Sequence, residues 1–140
     1  MINKSYSQVE EKNNTQSLSD CLMAQMPPAA LDLVADFFKV LSETSRLNIV
    51  CCLRTGSKNV TEIIDKTGLG QANVSKHLKI LAQAGIVART QKGINVYYQI
   101  SNPFVFDLCD LVCNSLSIQI QQQHEQLRQI QKMQNNETVN

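Results

Sequence analysis

The chain has no long apolar run. Its longest uninterrupted stretch is the five residues 49–53, against the roughly 20 that a membrane-spanning helix needs, so no membrane contact is expected. Residues 1–20 are polar and hold no apolar core, which argues against a secretory signal. Histidine is scarce: His77 and His124 are the two in 140 residues, and they stand far apart in sequence. A thiol enzyme needs a Cys–His pair and a pocket, which two isolated histidines do not supply, so no enzyme and no required cofactor are expected. Cysteine is present, but five is an odd number and not a dense framework. Free thiols belong to a reducing compartment, so a cytoplasmic protein is expected. With five Gly, three Pro and 43% apolar residues, the composition is globular and neither collagen-like nor disordered.

A formal net charge of +1 hides a segregated layout. Residues 1–43 carry three Lys against six acids, and residues 101–140 carry two basic residues against four acids. Residues 44–100 carry eight Lys or Arg against two acids, Glu62 and Asp65. Between residues 70 and 100 there are four basic residues and no acid. A local basic zone in a near-neutral chain suits a phosphate-facing surface. The plain alternative is a solvated face with chance clustering.

Residues 1–26 are rich in Ser, Asn, Gln and Glu without periodicity, and read as a tail. Pro27-Pro28 opens a helix, on which Leu31, Val34, Ala35, Phe38 and Leu41 recur at helical spacing. Ser42 or Thr44 caps a second helix over 44–55, stopped by Gly56. Asn59 and Glu62 have the spacing of a capping box and open a short helix over 60–67. Gly68-Leu69-Gly70 leads into a helix over 71–84 with Val74, Leu78 and Leu81 buried, followed by Gly85. Two helices joined by a short glycine turn make a helix-turn-helix. Residues 86–91 and 95–100 flank Lys92-Gly93 as a β-hairpin, in which Tyr97 and Tyr98 point to opposite faces and one packs inward. Asn102-Pro103 opens a last helix to about Met133, roughly 45 Å at 1.5 Å per residue. No second element in so small a domain covers that length, so terminal helices of two chains are expected to pack together. Eight Gln over residues 119–134 weaken its outer stripe. The expected fold is mainly α with a β-hairpin: a winged helix-turn-helix over 27–134, dimerising through its N- and C-terminal helices, with a second tail at 135–140.

In such a fold the second helix of the helix-turn-helix lies in the major groove of DNA. Its polar positions are Gln71, Asn73, Ser75, Lys76, His77 and Lys79. Gln and Asn contact adenine bidentately, Ser75 contacts base or phosphate, and the lysines bind phosphates without reading sequence. Arg89, Lys92 and Asn95 in the hairpin are placed to reach the adjacent minor groove or its backbone. The alternative is an ordinary exposed helix face.

Arg46-Leu47-Asn48-Ile49-Val50, Gln71-Ala72-Asn73-Val74-Ser75-Lys76-His77-Leu78-Lys79-Ile80-Leu81, Ala84-Gly85-Ile86-Val87, and Gly93 with Tyr97-Tyr98 closely resemble the ArsR/SmtB family of dimeric winged-helix regulators. The resemblance covers roughly residues 30–116, with several motifs in the family's order and spacing. It implies a homodimer formed by the first and last helices, and a repressor that leaves double-stranded operator DNA when an inducer binds. The family's Cys-x-Cys metal site would fall at Asn59 and Thr61, and its site between terminal helices near Asn102, Phe104, Ser115 and Ile118; neither set holds the family's ligands. Zinc or nickel sensing is therefore disfavoured.

Sulfur remains. Cys109 and Cys113 are one turn apart on the last helix, with Cβ atoms roughly 5–6 Å apart, wider than the 3.5–4.5 Å that a disulfide prefers. Both could ligate a soft thiophilic ion. Cys51 and Cys52 lie on the second helix. Cys51 matches the first reactive cysteine of the family's persulfide and redox sensors. Their second falls near Ser117, whereas this chain has Cys113 one turn earlier. Two sensing chemistries are expected alongside a third option. In one, Cys51 or Cys52 bridges to Cys113 or Cys109 on oxidation. In the other, Cys109, Cys113 and one of Cys51 and Cys52 hold As(III), Sb(III) or another soft ion. In the third, the cysteines are small core hydrophobes. Cys21 lies in the tail, as a bystander or as an extra ligand that reaches a site. The competing functional classes are a constitutive or non-thiol-regulated DNA binder, and a winged-helix protein-interaction module that uses the Gln-rich helix.

Overall fold

A computed structural model describes residues 21–137 of the chain. Residues 1–20 and 138–140, the greater part of the two expected tails, lie outside the described residues. The chain divides into two compact units between Ser42 and Glu43.

In the first unit a single 3-10 turn, Leu22–Gln25, precedes helix α1, Pro28–Leu41. Pro28 takes the first helical position, where its missing N–H costs nothing. Ser42 closes the helix, its Oγ donating to the Lys39 carbonyl at 2.7 Å. Phe37 and Phe38 meet edge to face, with ring centroids 5.7 Å apart.

The second unit holds helices α2 (Thr44–Cys52), α3 (Val60–Thr67) and α4 (Gln71–Gln83), strands β1 (Val87–Lys92) and β2 (Asn95–Ile100), and helix α5 (Phe104–Glu137). Neither Ser42 nor Thr44 caps α2. Glu43 does, accepting the Arg46 N–H at 3.2 Å. The helix expected to reach Thr55 ends at Cys52 and tightens into a 3-10 turn, Leu53–Thr55. Asn59 and Glu62 form the expected capping box, each side chain accepting the other's backbone N–H at 2.9 and 2.8 Å.

The turn between α3 and α4 depends on Gly68, whose φ of +72° lies in the left-handed region that side chains disfavour. At the far end of α4 the Ile86 N–H bonds the Leu81 carbonyl and the Gly85 N–H bonds that of Ala82. This is a Schellman closure, and it turns the chain straight into β1. The strands pair antiparallel from Val87–Ile100 to Lys92–Asn95. The loop Gly93-Ile94 has positive φ at its first residue alone, as a type II′ hairpin turn requires. Lys58 pairs with Tyr98 through two backbone bonds of 2.9 and 2.8 Å, fastening the loop before α3 to the wing.

The core of this unit is Ile49, Val50, Leu53, Ile63, Val74, Leu78, Leu81, Ile86, Val87 and Val105, all at most 5% exposed. Full burial of one such side chain contributes about 1.5–3 kcal/mol, so the shared core fixes α4 against α2 and α3. Val105, under the first turn of α5, joins that core. Asn102 Oδ1 accepts the Phe104 N–H at 3.1 Å and starts the helix as expected. α5 then runs to Glu137, past the expected end near Met133. Among the described residues no helix is long and apolar enough to cross a membrane.

Candidate nucleic-acid interface and thiol positions

Burying Val74, Leu78 and Leu81 turns the opposite side of α4 outward. Gln71, Asn73, Ser75, Lys76 and Lys79 are all exposed there. Arg89, Lys92 and Asn95 are exposed on the hairpin. An open groove of about 390 Å³ joins the two elements, lined by Ser75, Leu78, Lys79, Ala82, Gln83, Arg89 and Tyr98. Its cations are Lys79 and Arg89, and no acid lies between residues 70 and 100. Among the described residues the salt bridges all lie elsewhere. The groove therefore presents uncompensated positive charge beside side chains that can donate and accept. Tyr97 and Tyr98 are both half-buried, where one was expected to pack inward. The Lys92 Nζ lies 5.5 Å from the centroid of the Tyr97 ring.

His77 corrects the expected contact set. It is 6% exposed and faces inward. Its Nδ1 lies 3.4 Å from Arg46 Nη1 and 3.6 Å from Glu43 Oε2. Arginine is always protonated and donates, which leaves the Nδ1 lone pair as the acceptor. The spacing already held this signal, because 74, 77, 78 and 81 fall on one helical stripe. Burial tends to raise the Glu43 carboxyl, but hydrogen bonds from the Arg46 and Ser45 backbones, with His77 and Arg46 nearby, hold it below its ordinary value. Sequence reasoning missed the Glu43–Arg46–His77 group, which links the start of α2 to α4.

None of the five cysteines is fully buried within this chain. Cys51 is exposed and Cys52 half-buried. They line an open hollow of about 320 Å³ with Asn48, Thr55, Lys66 and Thr67. Burial pushes the Cys52 thiol up, against the pull of Lys58 and Lys66. On α5, Cys109 is half-buried and Cys113 exposed. Burial pushes the Cys109 thiol up, and neighbouring Cys113 adds to this. Cys51 is close enough to Cys109 to act on its charge.

The ligand set expected from Cys109, Cys113 and one of Cys51 and Cys52 is not assembled: among the described residues no three His, Cys, Asp or Glu come together to hold a metal. The walls of the Cys51–Cys52 hollow come from α2, the 3-10 turn and α3, whereas Cys109 and Cys113 belong to α5. What joins the two thiol positions is a clamp the sequence did not reveal. Arg54 donates to both carboxylate oxygens of Asp110, at 3.0 and 2.7 Å, and its guanidinium lies 4.9 Å from the Phe106 ring centroid. The hydrogen bond from Arg54 holds the Asp110 carboxyl below its ordinary value.

Residues 43–89 match the bacterial regulatory proteins of the arsR family. The chain is 31% identical over 85 residues to a probable mercury resistance operon repressor of Streptomyces lividans, spanning 61% of this chain and 68% of that protein. It spans about three-fifths of the length of other curated repressors that it matches. The crystal structure of Mycobacterium tuberculosis Rv0081 superposes with a TM-score of 0.62 at 28% identity, covering 70% of this chain and 98% of that one. The homodimeric winged helix-turn-helix DNA-binding domain Mb0332 of Mycobacterium bovis gives 0.61 at 30% identity, covering 69% and 93%. With the helix-turn-helix, the hairpin and the basic groove in place, the chain belongs to the ArsR family and is a DNA-binding transcription regulator of winged helix-turn-helix build.

Proposed function

We propose that the chain is a homodimeric, sequence-specific, cytoplasmic repressor whose hold on double-stranded operator DNA is released by a thiol-based signal. The observation that carries the DNA reading is the exposed face of α4 beside a groove whose charges are all positive. Gln71 and Asn73 suit adenine edges, Ser75 suits base or phosphate, and Lys76, Lys79, Arg89 and Lys92 neutralise phosphates. His77 acts from inside by holding α4 in place. A homodimer is supported by the homodimeric relative. It is also supported by the exposed length of α5.

Two chemistries fit the thiols. Cys109 and Cys113, one turn apart, suit two bonds to As(III), Sb(III) or another soft ion, each thiol giving up its proton; Cys51 or Cys52 would complete the set after a local shift. The mercury-linked relative points to the same class of ion. Alternatively Cys51 or Cys52 and Cys113 or Cys109 lose two electrons and both thiol protons to an oxidant and form a disulfide that joins α2 to α5, or a polysulfide inserts one of its sulfur atoms between them to form a sulfur chain, takes up the two electrons and protons, and leaves as hydrosulfide. Either event loads the Arg54–Asp110 junction and shifts the population of DNA-competent dimers.

Fluorescence anisotropy with the chain's own upstream region, across a salt series, tests the reading. Binding is expected to weaken with salt, and Lys79→Ala, which removes one phosphate contact from each protomer, is expected to lower the log–log slope by about 1.8 per dimer. Arsenite, polysulfide or diamide is expected to release the DNA from the natural chain but not from Cys51→Ser or Cys113→Ser. Salt-insensitive or absent binding would end the DNA reading. Release from both variants under every treatment would end the thiol reading.

A further inference from the structure

The tip of the hairpin carries a side chain that neither the turn nor the core requires. Gly93 supplies the positive φ at the first loop position. The second position of such a loop favours Asn, Asp or Ser, and a β-branched side chain suits a pleated surface better than a turn. Ile94 stands there instead. It is 96% exposed, against at most 71% for every other exposed large apolar side chain among the described residues. At that exposure it gains nothing from packing in its own chain. A residue that breaks a local rule without a structural gain marks a functional position.

The surroundings of Ile94 define what it meets. Lys92 and Asn95 pair across the hairpin directly before and after the loop, and both are exposed, as is Arg89. No acid lies between residues 70 and 100. A cationic collar round one apolar side chain complements a polyanion that also has an apolar interior, as base pairs stacked between two phosphate rails do. The strands, six residues each, carry the tip roughly 20 Å from the root at 3.3 Å per residue. Adjacent grooves of a duplex are half a helical turn, roughly 17 Å, apart. With α4 in a major groove, the tip has the reach of the neighbouring minor groove, which is too narrow for a helix but admits one side chain.

We infer that Ile94 is a minor-groove wedge: its side chain enters between two stacked base pairs beside the half-site, partly unstacks them and bends the duplex. The inference rests on the DNA reading above and deepens it, because it gives the wing a sequence preference separate from that of Gln71 and Asn73. Pyrimidine–purine steps open most readily, so a TA or CA/TG step is favoured under the tip. In a homodimer the two wedges act symmetrically, one on each flank of the operator.

Two measurements on the full chain with its own upstream region test it. Energy transfer between dyes at the two ends of the duplex reads bending, and 2-aminopurine placed at successive flank positions brightens where a base unstacks. The natural chain is expected to bend the duplex by at least about 20° and to brighten one step on each flank. Ile94→Ser, which suits the turn, is expected to stay folded by circular dichroism, to lose the bend and the bright step, and to bind at least fivefold more weakly with an unaltered salt slope. Ile94→Leu is expected to restore all three. An Ile94→Ser protein that still bends and unstacks the duplex overturns the wedge and leaves the repressor reading standing. So does a natural chain whose binding is salt-sensitive but leaves the duplex straight and stacked, which would assign Ile94 to an apolar partner protein. Absence of salt-sensitive binding by the natural chain sinks the DNA reading and the wedge together.

Discussion

Helices α4 and α5 both meet solvent, for opposite reasons. α4 spends its apolar stripe inside its own unit: Val74, Leu78 and Leu81 are at most 1% exposed. What it leaves outside is polar and cationic. α5 is more than twice as long, yet Val105 is its one fully buried residue, and everything from 111 to 137 is exposed, leucines and isoleucines included. A surface that is polar because the core took the rest is built to meet something polar. A surface that stays apolar along a whole helix is incomplete without another apolar surface.

Substitutions that should cost α4 and spare α5 sharpen this contrast. The largest effect is expected for Leu78→Ala, about 2–5 kcal/mol of stability from lost burial and the cavity left behind. Ile118→Ala, on exposed α5, is expected to stay within about 0.5 kcal/mol; a thermal melt of each variant reads both. Next comes His77→Ala. It removes a buried hydrogen-bonding partner of Arg46 and is expected to cost about 1–3 kcal/mol. Its weakened DNA binding should keep the natural salt slope, because His77 touches no phosphate. A slope reduced as in Lys79→Ala would put His77 at the DNA and erase the distinction between the two sides of α4.

Asn59→Ala removes the cap of α3 and is expected to cost about 1 kcal/mol by urea titration. The smallest effect belongs to the Arg54–Asp110 clamp, whose two side chains are each close to half exposed. The folded-state pKa of Asp110 is depressed, so its contribution is present above its ordinary value of 3.8 and is lost as pH falls below it. Asp110→Asn is expected to remove that small contribution at pH 7 and to cost progressively less as pH falls through the acidic window, which flattens the stability profile there. An equal loss at both pH values would contradict the sign.

The same contrast governs how much was legible in the residues. The helix-turn-helix was, because Gly68 and Gly85 stand at backbone positions that disfavour other residues, and because Val74, Leu78 and Leu81 keep a helical period. The hairpin was, through Gly93. The cap of α2 was not: Glu is a poor N-cap by preference, and Ser42 and Thr44 on either side are good ones. The outcome followed from geometry, since only the Glu43 carboxylate reaches back to the Arg46 N–H. The Arg54–Asp110 clamp joins residues 56 apart in sequence, and no local pattern announces such a pair. The thiols were legible as candidates but not as an assembled site, because spacing along one helix says nothing about what a second helix turns toward it.

Tyr98 exchanges two backbone hydrogen bonds with Lys58, and that bridge has a mechanical meaning. It makes the hairpin a cantilever clamped near its root, with the residues around Gly93 as the free end. The segment between α2 and α3 and the root of the hairpin therefore share one anchor, while Lys92 and Asn95 sit at the far end. The wing is thus fastened to the same stretch of chain that follows Cys51 and Cys52.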